Sequence, residues 1–128
     1  MAKGLRTYEE EEEQACFFRW LSSCKPKLYS CAFAVPNGGY RSIREASRLK
    51  AQGVRPGVSD IVILYPTAKY HGLLIEAKRL KIRGRPNPKV SPLQQAWCDH
   101  MNSLGYKAVI CYGFEEMAQI VKEYDHEC

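Results

Sequence analysis

No stretch of this 128-residue sequence approaches 18 consecutive apolar residues, and Met1–Thr7 is short and polar. The expectation is neither a membrane span nor a signal peptide. Cysteine occurs six times, at 16, 24, 31, 98, 111 and 128, but never as C-x-x-C and never clustered with histidine. That spacing argues against zinc and for a reducing, intracellular (cytoplasmic) setting. Most of the thiols sit in apolar segments, as small buried hydrophobes do. There is no internal repeat, no linker and no low-complexity tract beyond the glutamate run Glu9–Glu13. With 45% hydrophobic and 26% charged residues, disorder is not expected, and one domain should fill 1–128 with a real core.

The net charge of +5 understates how basic the chain is. Five of its 14 acids are the run Glu9–Glu13, and without them 19 bases face nine acids. The bases form two groups, Arg41, Arg44, Arg48, Lys50 and Arg55, then Lys78, Arg79, Lys81, Arg83, Arg85 and Lys89. Patches of this kind attract polyanions through counterion release without specifying sequence. A charge run is often only a solvated face. Here both groups flank one hydrophobic hairpin, which favours nucleic acid.

Periodicity and turn chemistry predict the order αβαββαβα, a mixed central sheet with helices packed around it, and hence an α/β (α+β) fold. A first helix should run from Thr7 or Tyr8 to about Ser23, with capping-box spacing between Thr7 and Glu10. Its stripe Glu10, Gln14, Phe17 and Leu21 is apolar at one end and polar at the other. Pro26 closes the segment. Cys31–Val35 reads as a short strand, Asn37-Gly38-Gly39 as a turn, and Ser42–Gln52 as a helix stopped by Gly53. Arg41, Arg44 and Arg48 share a face of that helix. Ile61–Leu64 and Leu73–Ile75 read as a hairpin. A mobile basic loop, Leu80–Val90, follows. Ser91 with Pro92 should open a helix reaching Leu104, with Trp97, Met101 and Leu104 as core candidates. A strand over 106–112 and a helix over 114–124 complete the chain.

If the hairpin turns about Ala68, Asp60 faces Glu76 across the ladder. Glu76 and Lys78 project from the same face of their strand. Two carboxylates and an ammonium then converge at one end of an apolar hairpin. Metal-assisted phosphodiester hydrolysis uses such a set. Mg²⁺ takes one or two carboxylates, with water and phosphate oxygens completing its octahedron. A lysine beside it can orient the attacking water and offset charge on the phosphate. The bland alternative is a surface ion pair, Glu76 with Lys78 or Asp60 with Arg79.

Asp60 followed by Glu76-Ala77-Lys78 on the next strand resembles the signature of the PD-(D/E)xK nuclease superfamily. The wider pattern is Pro36-Asn37-Gly38-Gly39, Leu49-Lys50-Ala51-Gln52-Gly53-Val54-Arg55, Pro56-Gly57-Val58-Ser59-Asp60, Ser91-Pro92-x-Gln94-x-x-Trp97 and Cys111-Tyr112-Gly113. Together these are similar to the VRR-NUC family of nucleases. The resemblance implies a restriction-endonuclease-like core and a Mg²⁺- or Mn²⁺-dependent, structure-selective DNase. Stand-alone members of this size are typical of bacteriophages and prophages, and resemble homodimeric Holliday-junction resolvases. Carried over, Asp60 and Glu76 bind metal, Lys78 assists the attacking water, and Gln94 matches a helix-borne glutamine near the site. The first-helix acid best matches Glu10, with Glu11 or Glu13 as alternatives. The second R of the family's name is replaced here by Pro56. The opposing hypothesis is a nuclease-like module that binds DNA junctions without cutting.

Overall fold

The first helix, α1, spans Ala2–Cys24. The computed structural model describes residues 2–36 and 42–126, with side chains from position 10 onward. The helix begins well before Thr7, so Thr7 and Glu10 both lie within it and their spacing does not mark its start. Ala2, Lys3, Leu5 and Arg6 are good helix formers that outweigh the single Gly4. Phe17 and Leu21, four apart, are fully buried. Pro26 does not simply end the segment. It opens a one-turn helix α2 (Pro26–Tyr29), because a proline at the first helical position loses no hydrogen bond. The order is therefore ααβαββαβα.

Four strands follow: β1 (Ala32–Ala34), β2 (Ile61–Ile63), β3 (Leu73–Lys78) and β4 (Lys107–Tyr112). They lie in sequence order, with β1–β2 and β2–β3 antiparallel and β3–β4 parallel. The hairpin register pairs Ile61 with Ile75 and Ile63 with Leu73, as a turn about Ala68 requires. Thr67 closes that turn, its Oγ1 accepting from the backbone N–H of Lys69 and Tyr70.

Between these strands lie α3 (Ile43–Ala51), α4 (Pro92–Ser103) and α5 (Phe114–Asp125). The period-2 alternation of β3 explains the layering. Leu73, Ile75 and Ala77 point to one face of the sheet and pack with Phe17, Leu21, Met117, Val121 and Tyr124 of α1 and α5. Leu74 points to the other face and packs with Cys98 and Ala108 under Trp97 and Met101. The polar residues Glu76 and Lys78 share that second face, beneath α4. A strand covered on both sides carries a nearly continuous apolar run, as β3 does.

One core expectation is corrected. Cys98 is the buried residue of α4, whereas Leu104 is 51% exposed. Leu104 is the C-cap and has left the helical face before Gly105 turns the chain. Tyr124 is buried whole, and its hydroxyl donates to the Tyr65 carbonyl at 2.6 Å, which removes the cost of burying it.

Candidate active site

Asp60 is delivered by the loop 54–59. Gly57 has φ +84°, and a Cβ there would stand 2.8 Å from Leu93 Cβ and 3.1 Å from its carbonyl carbon. Only glycine lets this loop lie against the first turn of α4. Ser59 is buried, and its Oγ accepts from the indole N–H of Trp97 at 3.0 Å. These two contacts fix the loop to α4 just before Asp60. Continuing the hairpin register by one residue sets Asp60 opposite Glu76. One oxygen of Asp60 accepts the backbone N–H of Ala77 at 2.8 Å, across the ladder.

Gln94 joins the remaining groups. It is the third residue of α4 and completes a capping box. Ser91 Oγ accepts from the Gln94 backbone N–H at 3.1 Å, and Gln94 Oε1 accepts from the Ser91 backbone N–H at 3.0 Å. The same Oε1 accepts from Lys78 Nζ at 3.0 Å, and Gln94 Nε2 donates to Glu76 Oε2 at 3.0 Å. The amide orientation follows from its neighbours, because two donors meet its oxygen and a carboxylate meets its nitrogen. Lys78 Nζ lies 3.8 Å from the same Glu76 oxygen.

The carboxylate of Glu76 is 4% exposed. Its pKa is pushed up from 4.5 to about 8. Burial is the main cause, the Asp60 charge and a hydrogen bond with Asp60 come next, and Glu10 adds to them while Lys78 opposes. Two facing carboxyl groups under α4, when both are ionised, carry more negative charge than one lysine offsets. A divalent cation would supply the missing charge, and hard oxygen donors suit Mg²⁺ or Mn²⁺. The residues fit such an ion. Among the described residues no three His, Cys, Asp or Glu side chains are gathered into a ready-made cage.

Of the described side chains of the glutamate run, 10–13, Glu10 is the one whose charge reaches Glu76. Glu13 is engaged elsewhere: its carboxylate accepts the backbone N–H of Phe114 at the start of α5. That N–H is one of the unpaired donors at a helix N-terminus, and a carboxylate suits the dipole there. Glu11 and Glu12 are exposed.

The basic groups divide. Arg44, Arg48 and Lys50 lie on α3, which buries no side chain, and Arg55 follows in the exposed loop. Lys81, Arg83 and Lys89 are exposed and Arg85 half-buried in the loop 80–90. Arg41 and the Asn37–Gly39 turn lie outside the described residues. Arg79 is a correction to the DNA-binding set. It is 2% exposed, and its guanidinium donates to the carbonyls of Leu80 and Pro86. Its position follows from strand alternation, which turns residue 79 away from the face of Glu76 and Lys78. Neither the Asp60–Arg79 pair nor a simple surface ion pair describes this site.

Sequence reasoning did not single out Ser59, the structural role of Glu13, or the anchoring role of Arg79. A serine directly before Asp60, with a tryptophan three residues after Gln94, was the available signal for the first. For the other two there was none, since both partners are distant or backbone.

A mixed sheet with facing carboxylates and a lysine at the end of its central strand defines a nuclease-like fold. The family model of the VRR-NUC domain matches residues 5–115, and the chain belongs to this family of nucleases, for which DNA is the substrate. A solved structure described as a VRR_NUC domain protein is similar to it, at 27% identity and TM-score 0.76, over 93% of this chain and 89% of the other. No curated protein matches the chain. Among the described residues no helix is long and apolar enough to cross a membrane.

Proposed function

We propose that the protein is a Mg²⁺- or Mn²⁺-dependent, structure-selective endonuclease that hydrolyses phosphodiester bonds in branched DNA. The observation that carries this reading is Asp60 set opposite the buried Glu76, with Lys78 held beside them by Gln94. Asp60 and Glu76 would hold the cation, with Glu10 as a third acid. When bound, the cation supplies Lewis-acid polarisation of the phosphoryl group and activation of a water. Lys78 presents an ammonium to the attacking water and to the charge that builds on the phosphate. Gln94 keeps that ammonium in place and satisfies the Glu76 oxygen that faces it. Water adds to phosphorus, one P–O ester bond breaks, and the departing strand oxygen takes up a proton. The bases of α3 and of the loop 80–90, Arg79 excepted, supply contacts to the DNA backbone.

The family resemblance adds three expectations: a single nuclease domain over 1–128, a C₂ homodimer, and a phage or prophage origin with action inside a bacterial host. A monomeric mass at micromolar concentration would remove the second. The deciding experiment is cleavage of labelled four-way junction, flap and duplex DNA with Mg²⁺, Mn²⁺, Ca²⁺ or EDTA, with Glu76→Ala alongside. Cutting should need Mg²⁺ or Mn²⁺, vanish in Glu76→Ala and favour a branched substrate. Binding of branched DNA without cutting in any metal would identify a non-catalytic module instead.

A further inference from the structure

Beside the candidate active site lies a groove of about 820 Å³, between α4, the end of α3 and the loop 53–56. Its floor is apolar: Val54, Leu93, Trp97 and Met101. Its rim carries Lys50, Arg55 and His100, and no carboxylate among the described residues lines it. Val54 is 38% and Leu93 59% exposed. Exposed apolar side chains gathered around one hollow, unlike scattered ones, mark a contact surface. The indole N–H of Trp97 is committed to Ser59, so the ring is held as a fixed wall and offers carbon, not a donor.

The groove therefore pairs flat apolar surface with cations. Duplex DNA offers phosphates outside but hides its base faces in the stack. An unpaired nucleotide offers both a flat face and a phosphate. Stacking on aromatic side chains within a basic groove is the recurring solution for single strands. The groove also adjoins the site at two points: its Leu93 precedes Gln94, and its Trp97 donates to Ser59, the residue before Asp60.

We propose that this groove receives the unpaired nucleotides of a branched DNA beside the cut, so that flaps and splayed arms are preferred over a fully paired four-way junction. This rests on the nuclease reading for its biological meaning, but its test does not need cleavage.

The chain has two tryptophans, Trp20 and Trp97. Trp20→Phe, which keeps an aromatic ring against Phe17 and Phe114, leaves Trp97 as the only tryptophan reporter. In EDTA, titration with an oligo-dT strand should quench Trp97 emission saturably, and a duplex of equal length should do so at least about tenfold more weakly. Leu93→Ala should weaken single-strand binding about five- to tenfold with an unchanged circular dichroism spectrum. Arg55→Ala should lower the salt dependence of that binding by about one phosphate contact. Unchanged emission with oligo-dT, or Leu93→Ala binding it as well as the parent, would overturn the proposal. Emission that changes with protein concentration but not with oligonucleotide would assign the groove to a second copy and overturn it as well. Quenching with preference for unpaired strands, in a chain that never cuts, would sustain the groove and sink only the nuclease reading.

Discussion

Replacing Glu76 by glutamine should make the metal-free protein more stable, although it removes the central carboxylate of the candidate site. The buried carboxyl has its pKa raised from 4.5 to about 8 in the fold. Below pH 4.5 it is protonated in both folded and unfolded chains and costs nothing. Between those pH values the folded state holds the proton that the unfolded state has lost, so stability falls as pH rises, and above pH 8 the loss is complete. At about 1.4 kcal/mol per tenfold change in a proton equilibrium, the loss is roughly 3 kcal/mol by pH 7 and on the order of 4–5 above pH 8. Glutamine keeps the shape, accepts from Gln94 Nε2 as Glu76 does, and can donate to Asp60 without a charge. The assay is thermal and urea unfolding of both proteins in EDTA from pH 5 to 9. Taking the difference between them cancels titrations elsewhere. Glu76→Gln should be the more stable by several kcal/mol at pH 8, a melting temperature on the order of 10 °C higher, with the difference shrinking towards pH 5. Millimolar Mg²⁺ or Mn²⁺ should then stabilise the parent and not the variant. A difference that is flat with pH, or a variant no more stable than the parent at pH 8, would refute the reasoning.

Glu10 and Glu13 of α1 should separate cleanly. Glu13→Ala should cost about 1 kcal/mol of stability through the lost α5 contact, and leave metal-dependent stabilisation intact. Glu10→Ala should weaken that stabilisation in a Mn²⁺ titration with little change to the metal-free melt. Arg79→Met should cost roughly 2–4 kcal/mol by stranding the Leu80 and Pro86 carbonyls, and trypsin should then nick the chain faster at Lys81, Arg83 and Lys89. Lys78→Met should lower single-turnover cleavage by about 10²-fold or more while DNA affinity in EDTA changes less than threefold.

Much of this site was legible because its rules are local. The facing of Asp60 and Glu76 follows from the symmetry of a hairpin about Ala68. The common face of Glu76 and Lys78 follows from strand alternation. Ser91-Pro92 announces the start of α4, and Gly53 the end of α3. What escaped depended on tertiary placement. Arg79 reads as one more base in a basic run, and only the covering of β3 on both faces buries it. Glu13 looks like solvent-facing charge until α5 arrives from 101 residues later. The short helix α2 was hidden by reading Pro26 as a stop, when proline is as much a start. Leu104 has the right spacing for the core but stands where the helix has already ended.

Position 94 has a consequence for what the chain can tolerate. A capping box accepts glutamate as readily as glutamine at its third residue. By the local rule the two are interchangeable, and a helix carrying Gln94→Glu would fold as well. Across the interface, however, glutamate would set a second anion against Glu76, where the amide now donates. One residue thus answers to two judges with different standards, the helix and the site. A survey of all substitutions of Gln94, scored for folding of the metal-free protein, should therefore rank glutamate well below its capping propensity, with millimolar Mg²⁺ or Mn²⁺ recovering part of the loss.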